Sequence, residues 1–422
     1  MKCRFKSALA FLVCVACAAF SSCLAMRHAG AAVPLSLSLP EALERAKTTS
    51  PEVTRARFAV READARRVGA GIVVPQNPRL AVDARPLVSG GSGRMGYGAT
   101  LDVLFDVGGA PRARVREAER SSAVAQANLA MSRSSARVRA LSSYVSAQIA
   151  ELRIVEADAA LVVARRVLDA TERRANAGAG SELDVASAQL QVAELEAARM
   201  AFERDLAIGQ MDLRDALDLS ADVPLTLTSS VIDLPHVGEI NALLQRALTS
   251  HPELKLIQAR VAMWSATEER LRAEVYPRVG VYAGVDAAPL SPTYGVLGLS
   301  VELPVAQRNQ GLRAQSARAR ESAEADLDLE ARLLTRAVVA AVRSYESSRR
   351  ELDRLSSQAV PAAERTLSFA EAGFQAGRFD VFRLLAAARD SLRVRASRID
   401  AIEAAWVARI ELERAVGGEV KS

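Results

Sequence analysis

Four stretches of the chain alternate apolar and polar residues with a period of two, and longer segments between them carry apolar residues every three to four positions. The clearest alternation lies between Arg278 and Gly311. Val279, Val281, Ala283 and Val285 alternate with Arg278, Gly280, Tyr282, Gly284 and Asp286. Leu297, Leu299, Val301 and Leu303 alternate with Val296, Gly298, Ser300 and Glu302. Such runs predict strands with one apolar and one polar face. They have about the 9–11 residues that a tilted strand needs to cross a bilayer. A soluble sheet with one wet face has the same pattern, so the alternation alone leaves both readings open.

The same design occurs earlier. Leu80, Val82 and Ala84 stand opposite Arg79, Asp83 and Arg85, and after the loop Ser89-Gly90-Gly91-Ser92-Gly93 a second strand is predicted from Tyr97 to Val107. There Leu101, Val103, Phe105 and Val107 alternate with Thr100, Asp102 and Asp106. A helical pattern precedes this hairpin from Pro40 to about Val74, restarting at Ser50-Pro51, since proline suits a first helical turn.

Beyond Gly108-Gly109-Ala110-Pro111 a helical pattern runs to about Ala175, with Val138, Leu141, Val145, Ile149 and Leu152 on one face. At ~1.5 Å per residue it predicts a rod of roughly 100 Å. A second rod is predicted from Leu312 to about Gln375, with a kink or joint at Pro361. Ala and Ser dominate the apolar faces, which suits shallow helix packing and equally a solvent-exposed coiled coil. Each rod ends at a glycine turn. Asn176-Ala177-Gly178-Ala179-Gly180-Ser181 precedes a helix from Glu182 to about Leu217, and Ala376-Gly377-Arg378-Phe379-Asp380 precedes one from Val381 to about Val416. Glycine admits the left-handed backbone of a tight reversal, and Ser181 and Asp380 are N-cap residues.

The halves repeat one another at an offset of about 200 residues, far beyond solenoid periods. Ala42-Leu43-Glu44-Arg45-Ala46 with Ser50-Pro51-Glu52 is echoed by Leu243-Leu244-Gln245-Arg246-Ala247 with His251-Pro252-Glu253. Asn77-Pro78-Arg79-Leu80 is echoed by Tyr276-Pro277-Arg278-Val279, Tyr144 by Tyr345, and Ala177-Gly178 by Ala376-Gly377. Leu213-Arg214-Asp215-Ala216-Leu217 returns as Leu412-Glu413-Arg414-Ala415-Val416. The chain therefore divides into a leader at 1–31, a first repeat at 32–219, a connector at 220–239 and a second repeat at 240–422.

In the leader, Lys2, Arg4 and Lys6 precede an apolar run from Ala8 to Phe20 that is too short to span a membrane, the pattern of an export signal. Ala29-Gly30-Ala31 suits signal-peptidase cleavage, and Cys23 stands where a lipid-anchored cysteine would. All four cysteines (Cys3, Cys14, Cys17, Cys23) lie in this leader, and only His236 and His251 remain beyond it. That composition excludes a disulfide framework, a thiolate metal site and a histidine cluster. No later apolar run reaches the ~18 residues of a transmembrane helix. The Ala/Arg/Glu-rich, aromatic-poor composition favours long helices. The net charge of +5 is spread along helix faces without a phosphate-binding loop, which argues against a nucleic-acid partner.

Four strands with one apolar face cannot close a barrel alone, because transmembrane barrels begin at about eight strands. A barrel must be shared between copies of the chain. At least a dimer follows from this, with the long helices leaving one barrel end.

The Ala-Leu-x-x-Ala…Pro-Glu opening, the duplicated strand–strand–long-helix order, the two glycine turns and Leu412-Glu413-Arg414-Ala415-Val416-Gly417 carry a resemblance over essentially the whole chain beyond the leader. The chain resembles the outer-membrane factors of the TolC family. Leu303-Pro304-Val305-Ala306-Gln307-Arg308-Asn309-Gln310-Gly311 is similar to a segment of the heavy-metal (CzcC/CusC-like) branch. The resemblance implies a mainly α fold with a small β part. Duplicated helix hairpins would form an α-helical periplasmic tunnel, and four strands per protomer a shared twelve-stranded outer-membrane β-barrel in a homotrimer. It further implies a periplasmic adaptor at the helical tips and an inner-membrane pump of the RND type. The chain itself would perform no chemistry and need no cofactor.

Under that reading Gly178, Gly180, Ser181, Gly377, Arg378 and Asp380 form the tips to which an adaptor docks. Members of the family often constrict the tunnel with acids just past the second turn. Here Arg383 stands in one such place while the first repeat supplies its acid at Asp184, so Glu182, Asp184 and Asp380, together with Arg383, are the gate candidates. Solvated helix-start carboxylates are the plain alternative. Asp83, Asp102, Asp286 and Glu302 share the polar strand phase and are expected to line a lumen, because charge facing lipid costs a few kcal/mol near mid-membrane. Arg308 and Asn309 read as a barrel-to-helix junction, and Tyr144 and Tyr345 as packing residues. The leading function is a passive exit duct for metal ions or small toxic compounds. A type I secretion duct for peptides or proteins shares every feature, and a periplasmic coiled-coil scaffold leaves the strands unexplained. No nucleophile–base pair or paired-acid constellation indicates an enzyme.

Overall fold

Short polar residues start the first helices. In α1 (Leu39–Thr49) the Glu41 carboxylate accepts the Ser38 backbone N–H at 2.9 Å. In α2 (Pro51–Ala70) the Ser50 hydroxyl accepts the Val53 N–H at 3.3 Å. The computed structural model describes residues 35–86, 95–178, 180–288 and 292–420. The leader with Cys23, the Ser89–Gly93 loop and Ala179 lie outside the described residues.

The first hairpin is β2 (Arg79–Pro86) and β3 (Met95–Asp106), followed by the unbroken 67-residue helix α3 (Ala110–Asn176) and the returning helix α4 (Glu182–Leu217). The second half repeats this order with α5 (Ile240–Ser250), α6 (Pro252–Ala273), β5 (Arg278–Ala287) and β6 (Tyr294–Glu302). Its rod is divided into α7 (Gln310–Arg354), a π-helical turn (Leu355–Ala359) and α8 (Val360–Gln375), and α9 (Val381–Val416) returns. The division falls immediately before Pro361. Proline lacks the N–H that would bond the carbonyl of residue 357, and its ring crowds that carbonyl, so the helix widens by one residue there. The first repeat has no proline within its rod beyond Pro111 and runs straight through.

Two elements were not legible in the sequence. β1 (Leu35–Leu37) and β4 (Leu225–Leu227) are three-residue strands that pair in parallel. Neither is long enough to show alternation, and each depends on a partner far along the chain. β4 lies within the 220–239 connector and ties it back to the start of the first repeat.

The main core surrounds this small sheet. Leu141, Tyr144, Val145 and Ile149 of α3 pack with Leu37, Leu213, Leu217, Val231, Ile402 and Trp406. The Tyr144 hydroxyl donates to the Leu37 carbonyl at 3.1 Å and accepts the Ser229 N–H at 2.9 Å. Trp406 Nε1 donates to the Val231 carbonyl at 2.6 Å. Tyr345 donates from its hydroxyl to the Pro235 carbonyl. The duplicated tyrosines thus pack, as expected, and also hold successive parts of the connector through their hydroxyls. Burial pushes the Tyr345 phenol up, opposed by the nearby Arg409 and Arg349.

The four longer strands form one antiparallel sheet in the order β2-β3-β5-β6. The β3–β5 pairing, from Tyr97 opposite Ala287 to Asp106 opposite Arg278, joins the two repeats. β2 and β6 are its outer edges. On one face the register aligns Leu80, Leu101, Ala283 and Leu297, and on the other Asp83, Gly98, Asp286 and Tyr294. The apolar face is bare: Leu297 is 80% exposed and Leu299 71%. A contiguous apolar surface of this kind marks a site of contact with lipid or another chain.

Candidate functional site

The polar sheet face is held by arginines that sequence reasoning did not single out. Arg85 bonds Asp83, its neighbour two residues along β2, and reaches Asp286 on β5 at 3.1 Å. Arg278 lies 3.8 Å from Glu302 across the β5–β6 pair. Asp102 stands on the same face, opposite Tyr282, and no hydrogen bond reaches its Oδ1. Asp83, Asp102, Asp286 and Glu302 therefore share one side of the sheet, as their alternation requires. The signal for Arg85 was its own strand phase, the same as that of Asp83.

Where the sheet meets the rods, Asp106 is gripped by Arg114 at 2.7 Å and Arg278 at 3.1 Å. Gly109 and Asn309, both left-handed, stand at the starts of α3 and α7. Asn309 donates to the Leu271 carbonyl at 3.3 Å, and Arg308 to the Pro304 carbonyl at 3.0 Å. These contacts make Arg308 and Asn309 part of the strand-to-helix turn.

At the far end of the rods, the glycine turns reverse the chain as their sequence requires. Gly178 and Gly377 have φ of +73° and +68°, which L side chains rarely adopt. The Gly377 N–H bonds the Phe374 carbonyl at 3.0 Å and the Arg378 N–H bonds the Gly373 carbonyl at 2.9 Å. This double closure satisfies the last carbonyls of α8. Gly180 lies close against the backbone of Ala175.

The acids at the tips are engaged as caps. The Ser181 hydroxyl accepts the Asp184 N–H at 3.2 Å, and the Asp184 carboxylate accepts the Ser181 N–H at 3.1 Å. The Asp380 carboxylate accepts the Arg383 N–H at 2.8 Å. Arg383 itself stacks on the Phe379 ring at 5.4 Å, and Phe379 covers Gly373. Glu182 is exposed. Arg174 of the first repeat lies over Phe374 of the second at 4.9 Å, and Val167 packs with Phe374, Val381, Leu384 and Leu385. The two tips are thereby fastened side by side. Phe374 and Phe379 were the residues missed here, although both lie within a few positions of Gly377.

Asparagine keeps the capping oxygen of aspartate but not its charge. Asp184→Asn combined with Asp380→Asn is therefore expected to leave assembly intact and to lower cation preference in planar-bilayer recordings. The same exchange at Asp222 and Asp233 of the connector is expected to change nothing. Unaltered selectivity in the tip variant would remove these acids from any gate.

Both histidines among the described residues are occupied locally. His251 starts α6, its Nδ1 accepting the Glu253 N–H at 3.2 Å and its Nε2 donating to the Arg414 carbonyl at 3.1 Å. It does for the second repeat what Ser50 does for the first. His236 lies against Arg349 at 2.7 Å. Among the described residues no group of three or more His, Cys, Asp or Glu is placed to hold a metal ion. Among them, too, no helix is long and apolar enough to cross a membrane.

Comparison with known proteins agrees with this architecture. The chain is 26% identical over 320 residues to the cobalt-zinc-cadmium resistance protein CzcC of Cupriavidus metallidurans, covering 76% of each. Its fold is similar to that of CusC, with a TM-score of 0.75, 17% identity and coverage of 94% of this chain and 96% of that one. It is likewise similar to the outer-membrane channel OprN, with a TM-score of 0.74, 21% identity and 91% of each chain covered. VceC of Vibrio cholerae superposes with a TM-score of 0.71 at 19% identity, over 91% of this chain and 97% of that one. The family model for outer membrane efflux proteins matches residues 42–218 and 243–418, well over half of the chain. The chain belongs to the outer membrane efflux protein family.

Proposed function

We propose that this chain is the passive outer-membrane exit duct of a tripartite efflux system. Three copies each contribute four strands to a twelve-stranded barrel, and their long helices form a tunnel through the periplasm. A periplasmic adaptor docks at the tips built on Gly178, Gly180, Ser181, Gly377, Arg378 and Asp380, and an RND-type inner-membrane pump drives transport. The cargo class is metal ions, in keeping with a relative named for cobalt, zinc and cadmium resistance.

The observation that carries this reading is the sheet. Its two edges are unpaired among the described residues, one face is apolar and bare, and the other bears Asp83, Asp102, Asp286 and Glu302. Lipid satisfies the first face and a water-filled lumen the second. Cation pathways are commonly lined by acids. Arg85 and Arg278 temper the charge of this lining, so the barrel favours cations without being a strict filter.

Deleting the gene from its own host is expected to raise sensitivity to zinc, cobalt and cadmium, with recovery on re-expression. Unchanged metal tolerance, with the protein present in the parent's outer membrane, would remove metals as the cargo.

A further inference from the structure

The two free sheet edges are related by the duplication of the chain. Both hairpins place equivalent residues in equivalent pairs, Arg79 opposite Asp102 and Arg278 opposite Glu302. The rods that follow start in step, behind Gly109 and Asn309. Between the repeats, β3 meets β5 with Asp102 opposite Tyr282 and Asp106 opposite Arg278. The equivalents of these two strands are β6 and β2, which have no such partner among the described residues.

We propose that β6 of one copy pairs antiparallel with β2 of a second copy in the register of β3 with β5. Glu302 then stands directly opposite Asp83 of the second copy on the polar face of each seam. The inference rests on the shared barrel and adds its register.

Three features support that register. On the apolar face it sets Val301 opposite Ala84 and Leu303 opposite Val82, whereas a slip of one residue would turn the acids toward the apolar face. Next, β3 continues past its pairing with β2 through Val103–Asp106, residues that pair with β5. Their equivalents at 303–306 follow the end of β6, where Leu303 and Val305 are 68% and 75% exposed. Leu303 is the residue by which a second copy would lengthen β6, because beyond it the chain turns at Pro304, where the Val305 N–H bonds the Leu303 carbonyl at 2.9 Å. Finally, each acid has an arginine beside it, shared in both cases with a second carboxylate, Asp106 for Arg278 and Asp286 for Arg85. Facing carboxylates repel, but Arg278 lies 3.8 Å from Glu302 and Arg85 binds Asp83.

The competing register sets Arg79 of the second copy opposite Glu302. It pairs opposite charges, but it removes the stagger seen between β3 and β5. Barrel closure requires stagger between strands.

The full chain carrying Asp83→Cys and Glu302→Cys is oxidised with copper phenanthroline in outer-membrane preparations. Directly opposed strand residues have Cα atoms about 4.5–5.5 Å apart, within reach of a disulfide. A covalent trimer is expected from this pair and from Arg85→Cys with Ser300→Cys, which are opposed in the same register. Little product is expected from Arg79→Cys with Glu302→Cys, and none from single variants. Stronger crosslinking of the Arg79 pair would overturn the register. So would failure of both expected pairs in protein whose mass in detergent is that of a trimer. A parent chain that is not a trimer would instead defeat the shared barrel, and the seam with it.

Discussion

Replacing Glu413 with alanine is expected to destabilise the folded chain by about 3–5 kcal/mol, the cost of stranding buried charge. Glu413 is 4% exposed and meets Arg137 of α3 and Arg409 of α9, themselves 6% and 3% exposed. Arg409 also donates to the Val420 carbonyl, and its Nη1 has no hydrogen-bond partner. Two guanidinium groups therefore share one carboxylate, and removing it leaves both buried without a counter-charge. The contact joins the repeats, since Arg137 belongs to the first and Glu413 to the second. Urea unfolding of the detergent-solubilised protein should show the loss as a lowered midpoint. Joint replacement of Arg137 and Arg409 by methionine and Glu413 by leucine is expected to recover most of it, because apolar side chains of similar size fill such a site without a desolvation cost. A Glu413→Ala midpoint equal to that of the parent would show that the cluster is open to water.

The second large effect concerns the sheet. Leu299→Arg is expected to cost about 2–4 kcal/mol of barrel stability, as for cations near the bilayer midplane. Ser300→Arg, one position along β6 and on the polar face, should cost little. Leu299 is 71% exposed in the single chain, so water contact alone would make its substitution harmless. Folding yield into lipid vesicles, read as heat-resistant oligomer on gels, separates the cases. Equal yields for the two variants would show that the apolar face does not meet lipid.

Much of this architecture was legible because local signals and tertiary demands coincide. The returning helices run over Glu182–Leu217 and Val381–Val416, as the caps Ser181 and Asp380 and the preceding glycine turns require. β2 runs from Arg79 to Pro86, as its alternation indicates. Pro361 announced a joint and the structure places a π turn there. The parts that escaped reading depend on distant partners. β1 and β4 are too short to carry a period and exist through each other. Nothing in the sequence set Arg137, Arg409 and Glu413 apart from the other charges of their two helices, and only the packing of α3 against α9 buries them. Phe379 gave no periodic signal, because its role is to cover Gly373 within a turn.

The candidate site was legible as a face and less so as a mechanism. Strand phase correctly put Asp83, Asp102, Asp286 and Glu302 on one side of the sheet. It did not disclose that Arg85 links two of them. At the tips, the residues named as gate candidates divide by contact: Asp184 is bound into a capping box, Arg383 stacks on Phe379, and Glu182 is exposed. An efflux duct needs no reacting group, and the family to which the chain belongs is one of outer-membrane efflux proteins rather than enzymes.

The most direct test of the duct is the mass of the complex extracted in detergent from fractionated membranes of cells expressing the full chain. The account predicts recovery from the outer membrane with three chains in each complex. A water-soluble monomer or dimer would contradict the shared barrel and leave a periplasmic helical scaffold in its place.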